Sequence, residues 1–249
     1  MRVAIVTGGS SGIGRSTAAE LARRGAAVIL TYSSNEAGAK EAVSAIEGEG
    51  GTAIALPLDV GRSDTFPAFR AQVTEVLKVW DRDSFDVLVN NAGFARTALF
   101  EDTTEDLFNE FFRVLLKGPF FLTQTLLPLM TDGGAVVNTS SSAVAHAEAG
   151  YSGYATMKGA LIVLTRFLAK ELSPRGIRVN AVSPGATRTR LSDNVFERHP
   201  EVISALAAKT ALGRMGEPDD IGVAIAALTG DDGRWITAQN IEVSGGFAL

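Results

Sequence analysis

The stretch that decides the fold is VAIVTGGSSGIG, residues 3–14, which joins a short apolar run to a glycine-rich loop. The apolar run is rich in β-branched residues, which favours a buried parallel strand. Residues 15–24 then predict a helix that ends at Gly25. Glycines at such a turn let the backbone approach a pyrophosphate, which the free N–H groups of the helix N-terminus can bind. The stretch therefore predicts a nucleotide-binding loop, with a purely structural glycine turn as the alternative.

Strand-like and helix-like segments alternate along the rest of the chain. The helix-like segment that starts at residue 104 is expected to kink near Gly118-Pro119, because proline lacks an N–H. Alternation of this kind indicates right-handed βαβ crossovers, so the predicted fold class is α/β, a doubly wound parallel sheet with helices on both faces. No linker or repeat divides residues 1–249, which predicts one domain with a small lid lobe at about 186–216. Further strands are predicted at 28–32, 52–58, 86–89, 135–139, 177–182 and 240–243, and further helices at 37–49, 63–80, 104–130, from the Tyr154 region to 172, and 218–228.

Composition excludes several classes of function. The 249 residues are 46% hydrophobic, enough for one large core. No apolar run approaches the roughly 18 residues of a membrane span, and the first one is too short for a signal peptide. The absence of cysteine excludes disulfides and thiolate metal sites and fits a cytoplasmic protein. Two histidines offer little for a metal site, and a net charge of −5 argues against nucleic-acid binding and weakens the case for an acidic carrier protein as partner.

A second motif carries chemistry. Tyr154 and Lys158 are four residues apart on a predicted helix and so project from one face, with a serine run at 140–142 upstream. The ammonium group favours the ionised phenol, whose free pKa of about 10 would move toward a range useful for proton transfer near neutrality. A serine hydroxyl could bond the same substrate oxygen. The YxxxK pattern alone is weak, but together with the glycine loop it predicts a proton-transfer site beside a nucleotide.

These motifs resemble those of the short-chain dehydrogenase/reductase family. Residues 7–14 match its TGxxxGxG loop, residues 90–93 its NNAG segment, and Tyr154 with Lys158 its YxxxK. Residues 184–189 match its PGxxxT pattern and residues 245–246 its C-terminal double glycine. The resemblance runs over the entire chain and is to the single-domain branch, including 3-oxoacyl-[acyl-carrier-protein] reductase-like and glucose-dehydrogenase-like members. It implies a Rossmann-type fold and an NAD(P)(H)-dependent oxidoreductase that transfers a hydride between the nicotinamide and a carbonyl or secondary alcohol.

The same resemblance implies the site residues. In the family a serine lies thirteen residues before the tyrosine, which selects Ser141. Ser141 would orient the substrate oxygen, Tyr154 would act as general acid/base, and Lys158 would lower the tyrosine pKa. For residues 90–93 a structural turn is a competing interpretation. The cofactor-binding residues implied are Gly8, Ser10, Ser11, Gly12, Ile13, Gly14, Tyr32, Ser33, Ser34, Asp59, Val60, Asn91, Ala92, Gly93, Tyr154, Lys158, Pro184, Gly185, Thr187 and Thr189.

The end of the second strand bears on which nicotinamide cofactor is used. NAD-selective enzymes place an acid there, which accepts the ribose 2′-hydroxyl and would repel a 2′-phosphate. In this chain that position is Tyr32, followed by Ser33, Ser34 and Asn35. Hydroxyl and amide groups can hold a phosphate, although no arginine lies in the stretch, and Arg15 would assist only if its side chain folds back. NADP(H) is therefore favoured over NAD(H).

The chain departs from the family at Leu115. Many members carry an asparagine there, in a segment like Val-Asn-Leu-Lys-Gly, which supports a proton-relay water. A leucine side chain cannot hydrogen-bond, but the backbone carbonyl of residue 115 remains. Catalysis is therefore expected to be slower, and its complete loss is not expected. The competing hypothesis from another class, a catalytically impaired nucleotide-binding sensor or scaffold protein, rests on Leu115 alone. The intact Ser141, Tyr154 and Lys158 oppose it.

Signals for the substrate are weak. Phe94, Ala95 and Arg96 are expected to rim the pocket, and residues between Ser141 and Tyr154 to contact substrate. Cations in the lid lobe, which extends to Met215, would attract an anionic substrate or simply be solvated. The residues between Ser141 and Tyr154 that are expected to contact substrate are His146, Glu148 and Tyr151. The cations of the predicted lid lobe are Arg188 and Arg190.

Assembly as a homotetramer or homodimer is also implied by the resemblance. The helix over 104–130 and the helix after Tyr154 would pair with their counterparts across a two-fold axis. Their apolar content exceeds what one core-facing stripe requires. The residues concerned include Phe111, Phe112, Leu161, Leu164 and Phe167, while Phe108, Phe120 and Phe121 extend the aromatic stretch toward the core or a subunit interface.

Overall fold

The structure, a computed structural model, describes residues 1–189, 199 and 201–249. Its centre is a parallel sheet of seven strands in the order β3-β2-β1-β4-β5-β6-β7. The strand order reverses direction between β1 and β4, so the loops that follow these two strands meet above the sheet, where α/β folds bind ligands. The strands are β1 Arg2–Val6, β2 Ala26–Tyr32, β3 Thr52–Pro57, β4 Phe85–Asn90, β5 Met130–Thr139, β6 Arg178–Pro184 and β7 Asn240–Val243.

Helices cover both faces of the sheet. Buried side chains of α1, α2 and α8 pack on one face, and those of α3, α5 and α6 pack on the other. The predicted fold class, a doubly wound parallel sheet, is confirmed. The described α-helices are α1 Gly12–Arg23, α2 Glu36–Gly48, α3 Phe66–Val79, α4 Glu105–Phe111, α5 Gly118–Leu126, α6 Ser152–Glu171, α7 Glu201–Ala208 and α8 Pro218–Thr229.

The predicted long helix over 104–130 is present as an unbroken helical run over 105–129, but it is not α-helical throughout. After α4 the chain forms a π-helical segment, Phe112–Lys117, in which the Gly118 N–H bonds to the Arg113 carbonyl five residues back. Pro119 has no N–H, so regular α-helical bonding cannot continue through this turn. Helix α5 then ends before Pro128, and β5 already begins at Met130. The predicted kink near Gly118-Pro119 is therefore a π-helical segment.

The segment predicted to form a lid lobe, about 186–216, lies only in part within the described residues. Helix α7 and the segment up to Met215 lie within residues 201–249, whereas Arg190 lies outside the described residues. Within the described part of the chain, no helix combines the length and apolar character needed to cross a bilayer.

Candidate active site

A cavity of about 800 Å³ lies above the carboxyl ends of the strands. It extends from Ser33 and Ser34 after β2, past the glycine loop, to Tyr154 on α6 and Phe247 near the C-terminus. Its floor is made by the loops after β1 and β4, which the reversal of strand order brings together. We call the part lined by the glycine loop and Ser33 the predicted cofactor end, and the part lined by Phe94, Tyr151 and Phe247 the predicted substrate end.

The glycine loop fits its surroundings only without side chains. A Cβ on Gly14 would lie 2.2 Å from the Gly8 carbonyl oxygen, and one on Gly8 would lie 2.9 Å from Ala92 Cα. Gly8 and Gly12 also adopt φ values of 67° and 52°, a left-handed conformation that favours glycine. The loop is therefore a backbone-lined cradle that an added Cβ would disrupt.

Polar bonds hold this cradle against the loop after β4. The Thr7 hydroxyl accepts the backbone N–H groups of Asn91 and Ala92 at 2.9 and 3.0 Å. The Asn91 side chain donates to the Thr7 carbonyl at 3.0 Å. Asn91 and Ala92 thus support the turn, and Asn91, Ala92 and Gly93 also line the cavity, while their contact with a cofactor stays a prediction.

The first turn of α1 suits a phosphate group. Its N-cap residue, Ser11, makes no side-chain capping bond, and no acidic residue lies in the first turn. Its backbone N–H groups and the positive end of the helix dipole face the cavity without a competing carboxylate. Helix α2 differs, since Asn35 caps it by accepting from the Gly38 N–H at 3.1 Å and Glu36 lies in its first turn. The residues present at α1 fit a dinucleotide pyrophosphate.

The predicted cofactor residues converge on this cavity with two exceptions. Gly14 lies beneath the loop, against the Gly8 carbonyl, and Tyr32 packs against the core on the α1 and α2 face of the sheet. Arg15 pairs with Glu41 at 3.4 Å and does not fold back to the cavity. The predicted residues that line the cavity are Gly8, Ser10, Ser11, Gly12, Ile13, Ser33, Ser34, Asp59, Val60, Asn91, Ala92, Gly93, Tyr154, Lys158, Pro184, Gly185, Thr187 and Thr189.

The three predicted catalytic side chains meet in the middle of the cavity. Ser141 follows β5, and its hydroxyl hydrogen-bonds with the buried Tyr154 of α6. One turn further along α6, the Lys158 ammonium donates to the Thr139 carbonyl at 2.7 Å and lies 5.8 Å from the Tyr154 ring centroid. Ser140 fixes this part of α6 by donating to the Lys158 carbonyl at 2.9 Å. The arrangement presents two hydroxyl groups to one point of the cavity, with a cation behind them.

The protonation of this group differs from the expectation. Burial raises the pKa of Tyr154 to about 12, while the hydrogen bond with Ser141 acts in the opposite direction. Burial lowers the pKa of Lys158 to about 8. Desolvation therefore outweighs the expected lowering of the Tyr154 pKa by Lys158. The Tyr154 hydroxyl is therefore protonated at neutral pH.

Leu115 lies directly beside this group. It is only 1% exposed and packs in an apolar cluster with Phe111, Tyr154 and Met157. A Cβ placed on Gly93 would be 3.0 Å from Leu115 Cδ2 and 3.8 Å from Lys158 Nζ, so the leucine methyl and the ammonium approach the same point. An apolar neighbour contributes to the desolvation that lowers the Lys158 pKa.

The backbone at Leu115 departs from regular α-helical bonding. Leu115 lies in the π-helical segment, and Pro119, its donor in a regular α-helix, has no N–H. The Leu115 carbonyl therefore lacks that helix bond.

Aromatic residues dominate the substrate end, and the sequence identified only some of them. Phe94, Ala95, Arg96, Glu148 and Tyr151 line the cavity as expected. His146 instead contacts the ring of Phe247 from outside, at 6.0 Å between centroids. Arg188 lies 3.4 Å from Glu217, an ion pair that accounts for its charge. The cavity-lining residues that the sequence did not identify include Leu58, Gly61, Arg62, Glu110, Arg113, Val114, Ala143, Leu206 and Phe247.

Phe247 is the most informative of these missed residues. Gly245 and Gly246 have φ values of 64° and 75° and turn the chain back toward the cavity. The Ala211 N–H then donates to the Gly246 carbonyl at 3.0 Å, and the Ala248 N–H donates to the Lys209 carbonyl at 2.8 Å. The double glycine was the available signal, but nothing local indicates where the turn directs the next side chain.

Two of the five predicted interface residues are buried inside the subunit. Phe111 is 2% exposed and stacks on Phe94, while Leu161 is 1% exposed. Phe112 and Phe167 are exposed, at 41% and 63%. Phe111 and Leu161 therefore belong to the subunit core and leave only part of the predicted set for an interface. Among the described residues, no three His, Asp or Glu side chains cluster as a metal site would require.

Comparison with known proteins defines the class. A family model described as Enoyl-(Acyl carrier protein) reductase matches residues 8–248. An uncharacterised oxidoreductase of Methylorubrum extorquens is 41% identical over 248 residues, covering 98% of this chain and 97% of that protein. The chain belongs to the short-chain dehydrogenase/reductase family of oxidoreductases.

Two further relatives bear on chemistry. The 3-oxoacyl-[acyl-carrier-protein] reductase of Staphylococcus aureus is 35% identical over 248 residues, covering 99% of this chain and 98% of that protein. A short chain dehydrogenase from Burkholderia cenocepacia, solved in complex with NADP, is 34% identical with a TM-score of 0.89, covering 98% of this chain and 97% of that one.

Proposed function

We propose that the protein is an NAD(P)(H)-dependent oxidoreductase that interconverts a ketone and a secondary alcohol. The observation that carries the proposal is the meeting of Ser141, Tyr154 and Lys158 in the middle of one cavity, next to a backbone cradle suited to a pyrophosphate. The named activity of the 3-oxoacyl relative supports the carbonyl assignment. A sensor or scaffold function is not favoured, because its one argument, Leu115, leaves these three side chains in place.

The bound nicotinamide would supply the hydride to the carbonyl carbon and leave as its oxidised form. The Ser141 hydroxyl would orient the carbonyl oxygen, and the Tyr154 hydroxyl would give that oxygen its proton, completing the alcohol. A proton from solvent would then restore Tyr154. The raised pKa of Tyr154, caused by burial, suits this reductive direction, since the hydroxyl stays protonated at neutral pH.

Lys158 has two roles in this proposal. Its ammonium, fixed by the Thr139 carbonyl, would stabilise the tyrosinate that forms during transfer and bond the nicotinamide ribose. A water between the Lys158 ammonium and the Leu115 carbonyl would return the proton from solvent. This relay needs no side-chain hydrogen bond at residue 115.

A direct screen tests the function. The purified protein is mixed with NADPH or NADH and a panel of small ketones, and absorbance at 340 nm is followed. We expect carbonyl-dependent loss of absorbance with at least one cofactor. Tight binding of a nicotinamide cofactor without turnover of any ketone, or of any alcohol in the reverse assay, would instead favour the sensor or scaffold function.

We further infer a preference for NADP(H). Ser33 and Ser34 line the cavity, and no carboxylate occupies residue 32. The next acid along the chain, Glu36, is engaged by Lys40 at 2.8 Å. The NADP complex of the Burkholderia relative is consistent with this preference.

Fluorescence titration with both cofactors checks the preference. NADPH should bind more tightly than NADH, and Tyr32→Asp should reverse or narrow the difference, because its carboxylate at the end of β2 would repel the 2′-phosphate. Tyr32→Asn is the matched neutral control and should keep the preference. Equal affinities of the parent protein for both cofactors would contradict it.

A homotetramer or homodimer is the proposed assembly. Aromatic residues are exposed on α4, the π-helical segment and α5, and further apolar residues are exposed on α6. Light scattering should give a multiple of 26.1 kDa, and the monomer mass in dilute native buffer would refute it. The residues concerned are Phe108, Phe112, Phe120, Phe121, Val163 and Phe167, each at least 40% exposed.

A further inference from the structure

The substrate end of the cavity has an aromatic wall. Phe94, Tyr151 and Phe247 line it, and Phe111 lies behind Phe94. The Phe94 and Phe111 rings stack with centroids 5.2 Å apart, and the Tyr151 and Tyr154 rings meet edge to face at 6.1 Å. The ring of the proton donor is therefore continuous with the wall that a substrate would touch.

These rings are held firmly in place. Phe247 is only 6% exposed and meets the His146 ring edge-on at 6.0 Å, while its backbone N–H donates to the Ser244 hydroxyl at 3.2 Å. Phe94 lies between Phe111 and the Arg96 guanidinium, which is 5.4 Å from its centroid. Fixed rings offer contact area at little cost in side-chain entropy.

The charges at this end are paired with one another. Arg96 Nη1 lies 2.8 Å from the Glu110 carboxylate, and both side chains line the cavity. Glu148, also in the lining, lies 3.4 Å from Lys209 Nζ. Each cation in these pairs is matched by a carboxylate, which weakens its attraction for an anionic substrate.

Arg113 is a further cation in the lining, and its backbone lies beside the segment that follows β3. A Cβ on Gly61 would lie 3.2 Å from Val114 Cγ2, and one on Gly118 would approach both the Val60 and the Arg113 carbonyl oxygens. Val60 is one of the residues expected at the adenine, so the backbone of Arg113 lies near the predicted cofactor end.

We propose that the substrate is a neutral aromatic ketone, or the matching secondary alcohol, whose ring packs among Phe94, Tyr151 and Phe247 while its oxygen reaches Tyr154 and Ser141. Aromatic rings prefer offset-stacked or edge-to-face contacts with other rings, which this wall offers. The inference rests on the proposed oxidoreductase function and adds the substrate class.

Matched ketones test the proposal with the full-length protein and saturating NADPH or NADH. 2-Tetralone is compared with 2-decalone, its saturated counterpart of similar shape, and with the N-acetylcysteamine thioester of acetoacetate. We expect kcat/KM for 2-tetralone to exceed the other two by about tenfold, the order that one or two aromatic contacts supply. Equal or faster reduction of the decalone or the thioester would overturn the proposal while leaving the oxidoreductase function standing.

Variants then locate the preference in the wall. Phe247→Leu and Tyr151→Leu should each lower the tetralone-to-decalone ratio of kcat/KM severalfold, because each removes one ring. Phe100→Leu makes the same chemical change at a residue that is 86% exposed and outside the cavity lining, and it should leave the ratio unchanged. A ratio unaffected by both wall variants would overturn the assignment. If no ketone and no alcohol is turned over, the oxidoreductase function itself fails, and this inference fails with it.

Discussion

The cofactor end and the substrate end of the cavity are built from different parts of the polypeptide. The cofactor end is made of backbone, where Gly8 and Gly14 leave no room for a Cβ and the N–H groups of α1 face the ligand. The substrate end is made of side chains, such as Tyr151 and Phe247, that come from separate segments of the chain. Side chains at the substrate end can be exchanged without altering the sheet. A Cβ added to Gly8 or Gly14 would instead force the glycine loop to move.

This difference explains how one fold serves many substrates. Function belongs to the site and not to the fold, and here only one end of the site is tied to the fold. Tyr154 and Lys158 lie between the two ends, on α6, and their environment is shared by both. Substitutions at the cofactor end, at the substrate end and at Tyr154 or Lys158 should therefore change different measured quantities.

Gly14→Ala is expected to give the largest loss at the cofactor end. The new Cβ would lie 2.2 Å from the Gly8 carbonyl oxygen and 2.5 Å from Asn91 Nδ2, so the loop must shift. Overpacking of this kind costs about 1–3 kcal/mol, and the Kd for the cofactor should rise on the order of a hundredfold. Isothermal titration calorimetry measures this Kd.

Gly48→Ala is the matched control for that substitution. Gly48 ends α2, and nothing lies within 4 Å of the Cβ it would gain. Cofactor affinity should stay unchanged there, and thermal stability should rise slightly, because the unfolded chain loses freedom. An unchanged Kd for Gly14→Ala would show that the cradle is not made by backbone packing.

The pH dependence examines the middle of the cavity. Because burial lowers the pKa of Lys158 to about 8, the rate of ketone reduction should be flat below pH 8 and fall about tenfold per unit above it. The free energy of unfolding should change with pH in the opposite direction. Between about 8 and the unfolded value of 10.5 the unfolded chain binds more protons at this lysine, so its contribution to the free energy of unfolding rises with pH.

Comparison with Lys158→Met isolates that contribution. The free energy of unfolding of the parent should rise with pH relative to this variant across the same window, as measured by urea denaturation. A rate that stays flat to pH 10 would place the lysine pKa near its ordinary value and contradict the desolvated site.

Leu115→Asn is expected to have the smallest effect on turnover. If the Leu115 carbonyl and Lys158 hold the relay water, the asparagine side chain is not required, and turnover should change by no more than about tenfold, or about 1.4 kcal/mol in the barrier. The fold should persist but lose about 2–4 kcal/mol of stability, because an amide replaces a fully buried leucine. A hundredfold gain in turnover would show that the parent relay is broken.

Leu115→Met provides the control for packing. It conserves volume and should cost less than about 1.5 kcal/mol while leaving turnover near that of the parent. Turnover and melting temperature measured together separate a change in the relay from a change in packing.

The sequence predicted the backbone-made end well and the side-chain-made end poorly. The loop at 7–14 and the turn at 90–93 follow from contiguous residues, since glycine spacing there fixes local geometry. Phe247 could not be placed, because its position depends on the contact of the C-terminal turn with Lys209 and Ala211. The end of the helical run near 130 was predicted, but its change to π-helical bonding at Phe112–Lys117 was not, because apolar spacing alone does not reveal which carbonyl each N–H meets. The Tyr154 pKa was misjudged because burial cannot be read from an isolated YxxxK pattern.

We propose that Tyr154 supplies the proton at the point where the two ends of the cavity meet. Tyr154→Phe keeps the ring and removes only the hydroxyl, so the Kd for the cofactor should stay within about twofold of the parent. The kcat for ketone reduction should fall by about 10²–10⁴, the usual contribution of a general acid. Measuring both constants on one preparation is the most direct test. A kcat within twofold of the parent, with the cofactor still bound, would show that the Tyr154 hydroxyl does not supply the proton.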